Sequence, residues 1–255
     1  MTSTISTAKG RELRRSAFDR ATAMRLAATE YTRCAEACEQ IRPEQWGNPT
    51  DCTEWDVRAL VGHILGMAEM AASIREESRQ RRLATTMGGE YIDALTALQV
   101  REHADLTPAE LIGRLHRVGP KAVRGRRRAP GFIRRRSMPM PGMEVDGRPE
   151  WWALGYLLDT VLTRDPWMHR VDLSRAIDRP MHLTPDHDGV LVADVVTEWA
   201  GRHGRPYRLH LSGSAGGTWS HGTAGVELEL DAIEFCRALS GRVNLPGLLA
   251  TVVPF

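Results

Sequence analysis

The sequence predicts a mostly α-helical protein, a bundle of four long helices followed by a small α+β domain. Three observations carry this. Apolar residues recur at alternating spacings of three and four along long stretches, the period of amphipathic helices. The connections between those stretches are uneven in length, as they are in many four-helix bundles. After Pro180 the pattern changes to one more helix, two short alternating segments and a glycine-rich connection. Residues 1–10 are expected to form a flexible tail, 11–179 the bundle and 180–255 the small domain.

The first helix is expected over Arg11 to Ile41, a span without proline or glycine in which Leu13, Ala17, Ala21, Met24, Ala28, Tyr31, Ala35 and Cys38 share a stripe. The segment IRPEQWGNPTDC then reads as a loop. Thr53 followed by Asp56 resembles a helix start, and Val57, Leu60, Val61, Ile64, Leu65, Ala68, Ala71 and Ile74 trace a second stripe. A third helical region is broken, roughly Glu90 to Arg101 and then Pro108 to about Arg124, where proline at the first turn forfeits no hydrogen bond. The stretch RGRRRAPGFIRRRSMPMPGMEVDGRPE is expected to be a long loop, and Pro149 to Ala176 a fourth helix. In the small domain, DGVLVADVVTEWAGRHG predicts a helix ended by Gly204. PYRLHLSG and VELELD predict strands joined by SAGGTWSHGTAG, and DAIEFCRALSGR predicts a helix with Asp231 near its start and Gly241 at its end.

The chain has 255 residues, of which 42% are hydrophobic and 26% charged, with a net charge of +2. That is the composition of a globular protein rather than a disordered or fibrous one. The N-terminus lacks the apolar stretch of a secretory signal and no run is long enough to span a bilayer, so a cytoplasmic location is expected. Cys34, Cys38, Cys52 and Cys236 fit no disulfide framework or zinc-ribbon spacing. Cys34 and Cys38 share a helix face and read as buried small residues.

The chemistry concentrates in TRDPWMHRVDL, residues 163–173. Asp165 and His169 stand at i and i+4, which places both side chains on one helical face about 5–6 Å apart. That reach suits a shared metal ion, and it also suits a surface ion pair. His63 lies on the second helix within an apolar stripe, where a histidine can simply be a satisfied core residue. Bundle cores build metal sites from carboxylates and imidazoles on facing helices. Two histidines and one carboxylate would leave positions open for water or substrate, which implies catalysis more than structure. Pro166 cannot donate to the carbonyl of Leu162 and crowds it, so a kink or bulge is expected beside Asp165 that could re-aim this short side chain.

The segment WGNPTDCTEWDVRALVGH, residues 46–63, resembles the N-terminal motif of the mycothiol-dependent maleylpyruvate isomerase family, DinB-like metal-binding four-helix bundles found in actinobacteria. TRDPWMHRVD, residues 163–172, resembles the family's second motif. LDAIEFCRALSGR and LPGLLATVVPF are similar to its small C-terminal domain of sterol-carrier type. The resemblance covers nearly the whole chain. It implies that His63, Asp165 and His169 hold a divalent metal ion, zinc first, with nickel, cobalt or iron also suited to two nitrogens and one oxygen. The family's isomerase carries Glu where this chain has Asp165, one methylene shorter. The implied chemistry is a metal-dependent thiol transferase or isomerase, in which the ion favours the thiolate of mycothiol over its thiol. The thiolate then attacks an electrophilic small molecule. None of the chain's own cysteines is well placed in sequence to be that nucleophile. A non-catalytic small-molecule binding or regulatory protein on the same scaffold is the alternative.

Several residues around these motifs have two readings. Asp172, three residues past His169, either orients that imidazole from behind or pairs with a surface arginine. Arg164, Arg134, Arg135 and Arg136 are candidates for holding an anionic thiol or substrate. The cluster of seven arginines from Arg124 to Arg136 could instead meet nucleic acid phosphates. Its scarcity of aromatic neighbours and the near-balanced charge of the chain argue against that. Trp167 is expected to pack rather than bind. His182, His187, His203, His210 and His221 lie outside the bundle motifs.

Overall fold

The computed structural model describes residues 6–8, 11–145 and 148–255. Two compact units divide the described chain, one ending at Arg179 and one beginning at Pro180. Of the expected N-terminal tail, residues 1–5, 9 and 10 lie outside the described residues, and Ser6–Ala8 form strand β1.

The first unit is built on four helices: α1 (Arg20–Cys38), α2 (Val57–Ala72), α5 (Pro108–Arg128) and α8 (Leu162–Ala176). Helix α1 starts nine residues later than its apolar stripe suggested. Asp19 caps it, accepting from the Thr22 amide at 2.9 Å. Arg11–Arg14 are strand β2 instead, with Leu13 buried on the sheet rather than on a helix. Helix α2 is likewise capped by Asp56, which accepts from the Ala59 amide at 2.8 Å, and not by Thr53. Its stripe ends before Ile74, which is 85% exposed and opens the next helix.

Two helices between α2 and α5 extend the bundle. α3 (Ile74–Met87) begins at a Ser73 cap and had no counterpart in the predicted elements, while α4 (Tyr91–His103) matches the expected Glu90 to Arg101. Gly88 and Gly89 join them with φ of +74° and +75°, a left-handed backbone that glycine adopts without strain. Both helices pack beside α2.

The stretch expected to be a long loop is mostly ordered structure. Helix α5 runs through Arg128, a short α6 (Gly131–Arg134) follows, and β3 (Ser137–Val145) pairs antiparallel with β4 (Arg148–Ala153). Met138 and Met140 pack against Trp152 and Tyr156, which explains why this proline-rich segment is a strand. β3 lies at the edge of the sheet order β1-β2-β4-β3, where a proline sacrifices no ladder bond. The fourth bundle helix accordingly starts after Ala153, not at Pro149. One α-turn, α7 (Leu154–Tyr156), and a π-helical turn (Leu157–Val161) lead into α8. The core between α1, α2, α5 and α8 includes Ala27, Leu60, Val61, Ile64, Leu111, Leu115 and Leu173.

In the second unit α9 (Val190–His203) ends at Gly204, whose φ of +60° gives the left-handed cap expected there. Strands β5 (Tyr207–Ser212), β6 (Gly217–His221) and β7 (Val226–Asp231) form one sheet in the order β6-β5-β7. The glycine-rich connection therefore contains a strand of its own, antiparallel to β5, and β7 returns parallel to β5. Asp231 caps α10 (Ala232–Leu239) through the amides of Ile233 and Glu234. Among the described residues no helix is long and apolar enough to cross a membrane.

Candidate metal centre

Helices α2 and α8 face one another in the bundle, and His63 on the first meets Asp165 and His169 on the second. Oδ1 of Asp165 lies 3.5 Å from Nε2 of His63 and 3.5 Å from Nε2 of His169. Both imidazoles are buried, and their ring centroids are 5.0 Å apart. A separation of 3.5 Å is longer than the roughly 2.7–3.2 Å of a well-formed hydrogen bond. Ligands about 2.0–2.2 Å from a tetrahedral ion stand roughly 3.4 Å from one another, so the distance of each histidine from Asp165 fits two donors of a common cation, and all three donor atoms lie within 4.8 Å of one another.

The opposite nitrogens are tied down. Nδ1 of His169 lies 2.9 Å from Oδ2 of Asp172, a fully buried carboxylate that can only accept, so Nδ1 carries a proton and Nε2 is the nitrogen left facing Asp165. Nδ1 of His63 lies 2.9 Å from Oε1 of Gln99 on α4. The second oxygen of Asp165, Oδ2, is buried without a hydrogen-bond partner among the described residues. A buried carboxylate oxygen in that state carries an unmet demand for a cation or donor.

The electrostatics follow from this crowding. Burial pushes the Asp165 carboxyl up, but bonding and charge from His169 and His63 outweigh it and hold the group well below the usual carboxylate range. For His169, burial favours the neutral ring, whereas Asp165, Asp172 and Cys52 favour the cation and win, raising it well above an ordinary imidazole.

The irregular entry to α8 places Asp165. Leu162, deprived of the amide of Pro166, gives its carbonyl to Nη1 of Arg126 at 3.0 Å. Nε of the same guanidinium donates to the Leu158 carbonyl at 2.7 Å, and Nη2 to Oγ1 of Thr163 at 2.6 Å. A π-turn and a buried arginine thus accommodate the proline, one residue before which Asp165 projects. The loop between α1 and α2 is pinned to the far end of α8 by Gln45 and Asn48, which donate to the carbonyls of Ile177 and Ala176. That loop delivers Cys52 and Trp55. Sγ of Cys52 lies 3.5 Å from Oδ2 of Asp172 and 3.9 Å from Nδ1 of His169. The Trp55 ring centroid is 4.8 Å from that of His63 and 5.8 Å from that of His169.

Sequence alone thus missed Gln99, and it assigned no role at the site to Trp55 and Cys52, although both lie within the motif of residues 46–63 and stand beside the histidines. Trp167 is fully buried and packs. Arg164 is also fully buried. Arg134 is buried and ion-paired with Asp159, and it also donates to the Arg126 carbonyl at 3.1 Å, while Arg135 and Arg136 are exposed. The run of arginines therefore mixes structural and surface residues.

The family model of the mycothiol maleylpyruvate isomerase N-terminal domain matches residues 27–174, which is more than half of the chain and includes all three converging side chains. This chain belongs to that family. Two crystal structures, of the mycothiol-dependent maleylpyruvate isomerase and of a mutant of it, cover 89% of this chain and 90% of their own. Their TM-scores are 0.56 and 0.55 at 14% identity, so they share the fold of this family member across both units. No curated protein matches the sequence.

Proposed function

We propose that this family member is a divalent-metal-dependent enzyme, a thiol transferase or isomerase. It activates a low-molecular-weight thiol, mycothiol, for attack on an electrophilic small molecule. One observation carries the reading: the Nε2 atoms of His63 and His169 converge on the same oxygen of Asp165, at 3.5 Å each. His63, Asp165 and His169 would hold the ion, zinc in the first instance, with nickel, cobalt or iron also compatible with two nitrogens and one oxygen. The ion would supply the positive charge that makes a thiol ionise near neutral pH.

The chain's own residues do the rest. Asp172 holds the His169 ring in one tautomer, and Trp55 closes an apolar wall over both imidazoles. Three protein donors leave coordination positions for a thiol and a substrate. Family membership supports the thiol being mycothiol. The electrophile is to be found by experiment.

The test is metal analysis of protein purified without chelators, followed by incubation with mycothiol and a panel of Michael acceptors and mass spectrometry of the products. About one equivalent of divalent metal and metal-dependent conjugates or isomers are expected, both lost in His63→Ala. Metal content unchanged by His63→Ala, or product formed equally well by Asp165→Ala, would overturn the proposal.

A further inference from the structure

We infer that Gln99 and Gln80, on the helix pair α3–α4, are positioning residues that set the tautomer of His63, through a directional hydrogen-bond chain anchored on the Glu76 carboxylate. The inference rests on His63 being a metal ligand, as proposed above, and concerns residues outside the family's two motifs.

The direction of the chain can be read from its far end. Nε2 of Gln80 donates to the Gly66 carbonyl at 3.1 Å and to Oε1 of Glu76 at 2.9 Å. Both partners can only accept, so the amide of Gln80 has one permitted orientation. Its Oε1 therefore faces Gln99 and requires a donor, which Nε2 of Gln99 supplies at 2.9 Å. That fixes the second amide in turn. Oε1 of Gln99 is left facing Nδ1 of His63 at 2.9 Å, and it too requires a donor. Nδ1 of His63 is thereby assigned a proton, and Nε2 is the nitrogen left to a metal ion shared with Asp165. Reversing any one amide would set acceptor against acceptor or donor against donor along a row in which Gln80, Gln99 and His63 are all buried, where unmet polar groups are costly.

The anchor is held from outside. Glu76 accepts from Nε and Nη2 of Arg79 at 2.9 and 2.5 Å, and Arg79 donates from Nη1 and Nη2 to Glu102 at 2.6 Å each. Arg79 therefore keeps Glu76 ionised, and burial, which opposes this, is the smaller effect: the Glu76 carboxyl is held below the usual range. The row thus ends on a charge that accepts and cannot donate. On the inner side, α2 makes room for Gln99 through Gly66, where a Cβ atom would fall 2.6 Å from Cγ of Gln99. The Gln99 side chain can pass along α2 to His63 only because that position carries no side chain.

Outer partners that fix a ligand histidine are worth about 10–100-fold in metal affinity. The probe is cobalt(II), with affinity measured by competition against a chromophoric chelator. The His63 tautomer is read from long-range proton–nitrogen NMR spectra of the metal-free protein, at a pH where the spectra themselves show the His63 ring to be neutral. Wild-type protein is expected to show the His63 proton on Nδ1. Gln99→Leu is expected to weaken cobalt about 10–100-fold. Gln80→Met leaves Gln99 against His63 but frees its amide to turn, so it is expected to spread the proton over both nitrogens and to weaken cobalt to a lesser degree. A merely structural glutamine would not move that distribution. A wild-type spectrum with a proton on Nε2 overturns the inference without any variant. So does an unchanged cobalt affinity in Gln99→Leu, or a Gln80→Met protein with wild-type tautomer and affinity, and in these cases the metal reading stands. A wild-type protein that takes no cobalt, or takes it equally after His63→Ala, removes the metal reading and this inference with it.

Discussion

Oδ1 of Asp165 lies 3.5 Å from Nε2 of His63, although 102 positions of sequence separate the two residues. The contact exists because α2 and α8 pack together, with a π-turn and the buried Arg126 at the entry of α8, where Arg126 serves the Leu162 carbonyl that Pro166 cannot. If this oxygen is a metal ligand, Asp165→Asn should cost more than the roughly 10–100-fold an outer partner is worth. The metal-free variant should stay folded, since an amide can still bond one imidazole. Zinc titration calorimetry together with circular dichroism checks both halves.

Acid and base should act oppositely on the metal-free protein. The raised His169 contributes stability fully present below the ordinary imidazole value of 6.5, lost as pH rises through its higher folded value. The depressed Asp165 contributes stability present above the ordinary carboxyl value of 3.8, lost as pH falls through its lower folded value. His103, raised by Glu69 and the Gln99 carbonyl against the opposing effect of burial, adds to the first contribution. The metal-free protein should therefore melt highest between these two ordinary values. Zinc must displace the His169 proton, so its stabilising effect should grow with pH. Melting temperatures from pH 4 to 9, with zinc and with chelator, measure this.

The four cysteines should differ in reactivity. Burial pushes Cys38 up to about 12 and Cys34 well above its ordinary value, with Glu39 and Glu30 adding to the effect, and Cys236 is buried as well. Cys52 is half-buried at the edge of the candidate centre. Brief treatment of the native metal-free protein with iodoacetamide should label Cys52 first, and bound zinc should slow that labelling by closing the pocket around His169. Peptide mass spectrometry reads both, and equal labelling of Cys34 or Cys38 in native protein would contradict the burial.

The bundle was legible from helical periodicity and the Asp165–His169 pair from its i,i+4 spacing, whereas His63, which alone read equally as a core residue, was joined to that pair by the resemblance of residues 46–63 and 163–172 to the family's two motifs. What escaped depended on partners distant in sequence. Leu13 continued a helical period by coincidence and belongs to a strand whose partner begins at Arg148. Ser73 and Glu76 formed a helix-start signature that was there to be found. Gly62 and Gly66, spaced four apart on a buried face, marked a close helix approach and so the neighbourhood of Gln99. Nothing local distinguished Gln99 itself, because a glutamine becomes informative only when its hydrogen-bond partners are known. Arg126 was hidden for the opposite reason, its charge having grouped it with the surface arginines around it.

Arg126 gives the sharpest contrast between those two kinds of arginine. Its side chain is 1% exposed and serves the carbonyls of Leu158 and Leu162 and the hydroxyl of Thr163, all on the irregular turn before Asp165. Arg126→Leu would strand the buried Leu162 carbonyl and the half-buried Leu158 carbonyl, each costing about 1–3 kcal/mol, so a loss of roughly 2–6 kcal/mol in urea unfolding is expected. Arg126→Lys should recover only part of this, because a single ammonium cannot fork to three acceptors fixed in space. Since the same turn aims Asp165, zinc affinity should fall with stability in both variants. Arg128→Leu, two residues on and exposed, should change neither. A stable Arg126→Leu protein with normal zinc affinity would show that the proline-distorted turn satisfies itself, and that the aim of Asp165 is set by α8 alone.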